Sequence, residues 1–534
     1  MSTARTPEAG AARTRVTGTA PNRRISVLDT TLRDGCQGKN VNFSLEDKRA
    51  VLLTLEALGI DFVEAGNPAS NPKDAAFFAE VRSDRLAAFG STCRKNTGAE
   101  QDSGLALLAA CGAPTVCIFG KCSAFHAENI LRCPPEENFR MIADSVAFLK
   151  ATGKRVIFDA EHYFDGYKEN RDFALAALGA AKSAGADILC LCDTNGGSFP
   201  EEVYRIVGET AKAFPDAVLG IHAHDDIGCA AAVSIAAVKA GCAHVQGTLT
   251  GFGERCGNTN LSALLPSLVL KLGYEIPGLR LEALTSSVRK IYEISNFVMP
   301  DNLPYVGSAA FTHKAGMHAD GVLKARSAFE HIPPEAVGND RHFALSEISG
   351  KSVLREKLKG TPYADSEEKL AKVRDELKKA ELEGYAFETA EASFLLRLAK
   401  LFGDYKSFFE LVSFKTISEQ PEIEGVAATA VVKARVDGTP TLCAAEGDGP
   451  VNALDKALKG ALYAFYPALH RVSLTDYKVR VINPENTTAA RVRVLISSTD
   501  GRESWSTVGV SEDVVHASFI ALSDSLEYYL RLNT

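Results

Sequence analysis

No two cysteines in this chain stand in a C-x-x-C arrangement, and its twelve cysteines follow no regular spacing. That excludes a zinc ribbon and gives no disulfide scaffold; reduced thiols in a cytoplasmic setting fit instead. No apolar run is long enough to span a bilayer, so no membrane association is expected. Positive charge is in short supply as well. Lys and Arg number 59 against 67 Asp and Glu, a net charge of -8, which argues against nucleic acid as a partner because phosphate binding needs a basic surface. Residues 1–23 lack any hydrophobic period and read as a disordered tail.

What remains is ample: 534 residues, 46% of them hydrophobic, enough for more than one domain. From Ile25 to about Gly273 apolar strands alternate eight times with amphipathic helices. The expected strands are 25–32, 60–65, 86–91, 115–120, 155–160, 187–192, 218–224 and 244–249. Helical patterns run over 45–58, 135–152, 171–184, 200–213 and 227–240, with Ser44 and Asp47 placed as a capping pair. Gly59, Gly112, Gly153, Gly185 and Gly241 are read as left-handed helix ends. Alternating strands and helices imply parallel pairing through right-handed crossovers. Eight units in about 250 residues fit an α/β fold of the closed (β/α)8 type, with an open doubly wound sheet as the alternative. The barrel is assigned to 24–280, a mixed helical subdomain capping the active site to 281–405, and an α+β domain to 406–534. In the last of these, VAATAVVKARV, PTLCAAEGDGPV and a helix from Asn452, then YKVRVIN, ARVRVLISSTDG, WSTVGVSEDVV and a helix from Val514, read as two copies of a strand–strand–strand–helix unit. Such a duplicated unit reads as a small-molecule sensor or a dimerisation module.

In a barrel of this type, chemistry sits where strands run into the following helices. Ile221-His222-Ala223-His224 ends the seventh strand, and alternation puts both imidazoles on one face. Leu32-Arg33-Asp34-Gly35 follows the first strand. Asp34, His222 and His224 are therefore read as ligands of one divalent cation, with Arg33 beside it. Two satisfied core histidines remain the plain alternative. Glu64, Lys121, Asp159, Glu161, Thr194, Glu254 and Arg255 stand at other strand ends.

Long motifs then carry a resemblance. DTTLRDGCQG (29–38), HAHDDIGCAAAVSIAAVKAGCAHVQGTLTGFGERCGNTNL (222–261) and HKAGMHADGVLK (313–324) resemble the 2-isopropylmalate, homocitrate and citramalate synthases, metal-dependent Claisen-condensing TIM barrels. DAEHYFDGYKEN (159–170), LCDTNGG (191–197) and the tail look most like the longer citramalate branch. The resemblance implies condensation of acetyl-CoA with a 2-oxo acid: pyruvate in the citramalate branch, 2-oxoisovalerate in the 2-isopropylmalate branch. The former leads to isoleucine without threonine. It further implies a metal (Mn, Mg, Zn or Co) held by Asp34, His222, His224 and Asn258. Arg33, Gln37, Asp159 and Thr194 become the substrate contacts, and Arg33, Glu161 and His318 the catalytic groups, with Glu161 handling the proton and His318 acting on the thioester. Isoleucine or leucine as effector at the C-terminal domain, and a homodimer, come with it. Cys93, Phe119, Lys121 and Asp159 are candidate walls of the acceptor pocket. Three departures stand out: Asp225 where Asn is common, Phe329 where Tyr is common, and NPASNPKD after strand 2. Outside the family, a two-His-one-carboxylate set also suits a non-haem iron oxygenase, and a tail of this kind could serve a non-catalytic sensor.

Overall fold

Strands and helices fall where the apolar periods put them. In a computed structural model, described here over residues 23–314, 316–344, 350–423, 426–482 and 490–533, the first eight strands are β1 (Ser26–Asp29), β2 (Phe62–Glu64), β3 (Leu86–Ser91), β4 (Thr115–Lys121), β5 (Arg155–Glu161), β6 (Ile188–Asp193), β7 (Leu219–Ala223) and β8 (His244–Gly247). All neighbours pair in parallel, and β8 returns to β1 with Asp29 opposite Gly247. The sheet is closed, so the open alternative falls. Residues 1–22 of the proposed tail lie outside the described residues.

Two apolar layers hold the barrel. Between strands and helices runs a large core that includes Val27, Val63, Val116, Leu189 and Ile221. Inside the barrel a smaller plug of Leu28, Phe62, Ala87, Cys117, Ile157, Ile188, Cys190 and Cys192 fills the bore. A packed bore leaves no channel, so polar groups gather at its C-terminal mouth. The barrel cysteines thus serve as small apolar fillers, and all twelve cysteines are free.

Helix Leu45–Leu58 opens on the expected box, with Ser44 Oγ taking the Asp47 N–H at 3.1 Å and Asp47 Oδ2 taking the Ser44 N–H at 2.8 Å. It closes at Gly59 with φ +95°, where a Cβ would lie 1.9 Å from the Gly278 carbonyl oxygen. Only glycine serves there. Gly112 differs from expectation: helix Ser103–Ala110 ends at Cys111, and Gly112 is not left-handed. A side chain at 112 would instead meet Arg82.

Packing divides the chain into two compact units, one running to Phe311 with Ile332–Arg341, the other Thr312–His331 with His342–Thr534. In the first, helix Leu284–Ile294 joins the barrel core through Leu284, Val288 and Ile291. In the second, helices Lys351–Lys357, Glu367–Leu382 and Glu391–Phe402 share a core that also takes in Val508. The duplicated unit is there: strands Glu410–Ile423, Val426–Val436 and Thr439–Gly447 form one antiparallel sheet, followed by helix Pro450–Leu462. Strands Ser473–Val481, Val492–Thr499 and Ser504–Ser511 form the other, followed by helix Val514–Asn533. One core draws Ala428, Val432 and Leu458 from the first copy and Val494, Ile496 and Leu522 from the second.

Candidate active site

β1 and β7 bring the expected metal ligands together. β7 ends at Ala223, one residue short of expectation, and His224 continues as an isolated antiparallel bridge to Asn258. His222 Nε2 stands 3.4 Å from His224 Nε2 and 3.5 Å from Asp34 Oδ2. Donor atoms of the three residues all lie within 4.8 Å of one another. Two ligands each about 2.1 Å from one ion stand roughly 3.0–3.4 Å apart, so the cluster fits a shared cation with little adjustment. Buried, unpartnered atoms point the same way: Asp34 Oδ1 and Asn258 Oδ1 have no hydrogen-bond partner among the described residues. Buried polar atoms are normally satisfied, and a pair of core histidines paired to each other does not explain these two oxygens.

Electrostatics suit ligation as well. Burial, outweighing the Asp34 charge, drives the His222 imidazole down to about 3, so it is neutral with a lone pair to offer. Burial would raise the Asp34 carboxyl, but the Arg33 guanidinium, the largest of the opposing influences, helps hold it below the usual range. Arg33 is fixed from three sides. Its Nε donates to Glu64 Oε2 at 2.6 Å, its Nη1 lies 3.4 Å from Asp34 Oδ2, and its plane stacks 3.8 Å from the Phe89 ring centre. Burial opposes its charge, yet Glu64 and Asp34 together lift its pKa above the ordinary arginine value.

A cavity of about 230 Å³ opens beside this cluster, lined by Arg33, Asp34, Gln37, Phe89, Phe119, Asp159, Glu161, Cys192, Thr194, His222, His224 and Glu254. Arg33, Gln37, Asp159, Glu161 and Thr194, read from sequence as substrate or catalytic groups, thus meet around one space with the metal ligands. Glu161 is ion-paired to Lys121, the residue opposite it on β4. Asp159 is buried and pushed up to about 7, first by desolvation and then by the Glu64 charge. Thr194 Oγ1 accepts the His162 N–H at 2.8 Å, which leaves its own O–H free to donate. His162 holds a left-handed backbone, φ +58°, a conformation a β-strand exit seldom takes.

Other expectations fall elsewhere. Cys93 is not a pocket wall; it is fully buried with its N–H on Ser145 Oγ at 2.8 Å. Arg255 pairs mainly with Asp226, at 2.8 Å, and donates to the Thr194 carbonyl. His318 belongs to the second unit, on helix Gly316–Lys324, exposed and stacked on Phe329 with ring centres 4.4 Å apart. Asp225 does not add a loose charge beside the histidines: its Oδ1 takes the Ala230 N–H at the start of helix Ala230–Ala240 at 2.8 Å. Within NPASNPKD, Asp74 Oδ2 takes the Asn67 N–H at 2.9 Å, and Pro72 opens a helix.

Comparison with known proteins shows matches along almost the whole chain. Residues 24–298 match the HMGL-like family, 305–384 the homocitrate synthase post-HMGL domain-like family, and 388–530 the LeuA allosteric (dimerisation) domain. The (R)-citramalate synthase of Aquifex aeolicus is 45% identical, covering 95% of this chain and 98% of that protein. The chain belongs to the citramalate synthase family. A second (R)-citramalate synthase, from Geobacter sulfurreducens, is 44% identical over 95% of this chain and 97% of its own length. The 2-isopropylmalate synthase of Shouchella clausii is more distant at 30%, over 93% and 95%. Family membership also disposes of the oxygenase and the non-catalytic sensor.

Sequence reasoning passed over several residues of this site. Phe89 and Cys192 were lost among strand apolars, though the period of two sends both inward with Asp159 and His222. Gln246, a lone polar side chain between Val245 and Gly247, carried a signal that went unused. Its contacts prove to be the most consequential of these.

Proposed function

We propose that this chain condenses acetyl-CoA with pyruvate, yielding citramalate and CoA, on a divalent cation held by Asp34, His222 and His224 with Asn258 alongside. The convergence of Asp34, His222 and His224 beside Arg33 on one cavity supports the reading most directly. Their mixed oxygen and nitrogen donors suit Mn, Mg, Zn or Co. Once bound, such a cation polarises a 2-oxo acid's keto carbonyl as a Lewis acid.

The chain's own groups supply the rest. The Thr194 hydroxyl, its oxygen already used by His162, donates to the substrate carboxylate, with Gln37 and Asp159 on the same wall. Glu161 removes a proton from the acetyl methyl. The new carbon–carbon bond turns the keto oxygen into an alkoxide, whose charge meets the fixed guanidinium of Arg33. Water then cleaves the thioester and releases CoA. Acceptor size is limited by the stacked rings of Phe89 and Phe119, 5.4 Å apart and 17° from parallel. Arg33 covers the free face of Phe89, and Lys121 stands 5.6 Å from the Phe119 ring centre, so the wall cannot easily yield to a branched side chain.

The second unit regulates. A separate cavity of about 450 Å³ there is lined by Asn452, Asp455, Lys459, Val472, Leu474 and Tyr477, among others. Lys459 Nζ meets Asp455 Oδ2 at 2.9 Å, and Asp455 Oδ1 is buried without a partner. One carboxylate, one ammonium and an apolar wall match a branched-chain amino acid, and isoleucine is the effector proposed, acting on a cytoplasmic homodimer. No described helix is long and apolar enough to cross a membrane. The acceptor is tested with purified protein, acetyl-CoA and Mn²⁺, reading free CoA against pyruvate, 2-oxobutyrate, 2-oxoisovalerate and 2-oxoglutarate. Pyruvate should be preferred; preference for 2-oxoisovalerate would make the chain a leucine-pathway enzyme.

A further inference from the structure

His222 can bind a cation through Nε2 only if its proton sits on Nδ1, and something must hold it there. Nδ1 lies 3.1 Å from Gln246 Oε1, and Gln246 Nε2 donates to Asp159 Oδ1 at 2.9 Å. These contacts form a directed chain. With its nitrogen donating to Asp159 Oδ1, the amide is left with its oxygen facing His222. An amide oxygen only accepts, so His222 Nδ1 must donate. All three side chains are buried: Gln246 is 0% exposed, Asp159 5% and His222 7%. β8 presents Gln246 from one side of β7, and β5 presents Asp159 one strand beyond β6 on the other. Asp159 also lines the cavity, so one group touches the substrate space and orients a metal ligand.

We propose that Gln246 is a positioning residue that fixes the tautomer and ring orientation of His222, and that Asp159 in turn fixes the orientation of the Gln246 amide. The proposal rests on the metal-site reading above, and its test separates the two. Mn²⁺ binding to the full-length chain, with no substrate present, is measured by titration calorimetry and by the electron-spin signal of free Mn²⁺. Gln246→Met, close in volume but without either polar end, should weaken Mn²⁺ binding about 10- to 100-fold, the usual range for partners of a ligating histidine. Asp159→Ala should weaken it in the same direction. Asp159→Asn retains an oxygen for Gln246 Nε2 and should stay close to native. Native affinity in Gln246→Met, or equal losses in Asp159→Asn and Asp159→Ala, would overturn the proposal; if Gln246→Met fails to fold, the Asp159 pair decides alone. His224→Ala is the control for the site itself. If that variant binds Mn²⁺ as tightly as the native chain, the metal-site reading has failed, whatever Gln246 does.

Discussion

Arg33 is worth most at the point where charge develops. Its guanidinium is held by Glu64, Asp34 and the face of Phe89, so it need not reorganise when an alkoxide forms. Arg33→Ala should lower kcat about 10²- to 10³-fold, as loss of an oxyanion donor does, with a smaller change in the KM for pyruvate. A KM effect with unchanged kcat would make Arg33 a binding residue only. Arg33→Lys should recover little, because a point ammonium can neither stack on Phe89 nor keep the same reach to Glu64. Much of this residue-level site was legible in the sequence: Arg33, Asp34 and both histidines stand at strand ends, where a barrel keeps its chemistry. Gln246 was not, because its role depends on Asp159, 87 positions away in sequence, and no local pattern encodes that pairing.

At the scale of elements, strand and helix spans were readable because each barrel strand is an apolar run closed by a turn. The short helix Tyr163–Glu169 was missed; it begins on a left-handed His162, which no propensity favours. In the second unit, helices Glu391–Phe402 and Val514–Asn533 meet through a half-buried polar group. Asp524 Oδ2 takes the Ser393 hydroxyl at 2.7 Å, with Lys400 at 3.9 Å and the Arg397 and Glu527 charges nearby. Burial pushes Asp524 up to about 6 from an ordinary 3.8. The folded chain therefore holds this proton more tightly than the unfolded one. The stability that proton brings is complete below about 3.8 and is lost as pH rises through 6. Asp524→Asn should thus gain on the native chain between pH 4 and pH 7. Trp505, the only tryptophan, donates to Ser525 Oγ at 2.9 Å on the same helix as Asp524, so its fluorescence reports urea unfolding of this unit. A midpoint difference that stays constant over that pH range would contradict the assignment.

For the whole molecule, the proposed effector cavity and the metal-ligand cluster belong to separate units, and variants should separate regulation from turnover. Asp455→Ala should abolish inhibition by isoleucine while leaving uninhibited turnover unchanged, checked as CoA release with and without the amino acid. Unaltered inhibition would move the effector elsewhere. Acceptor identity was not legible from the ligand motifs, which the whole family shares; the wall proposed to set it, Phe89 stacked on Phe119, is a contact that only three dimensions reveal. The most direct test of the account is anomalous diffraction from crystals grown with Mn²⁺ and pyruvate. One strong peak should lie about 2.1 Å from the Asp34 carboxylate and from Nε2 of His222 and His224, with pyruvate against it. A peak instead at Asp159, Cys190 and Cys192, the other grouping of ligand-type residues among those described, or no peak beside Asp34, would contradict it.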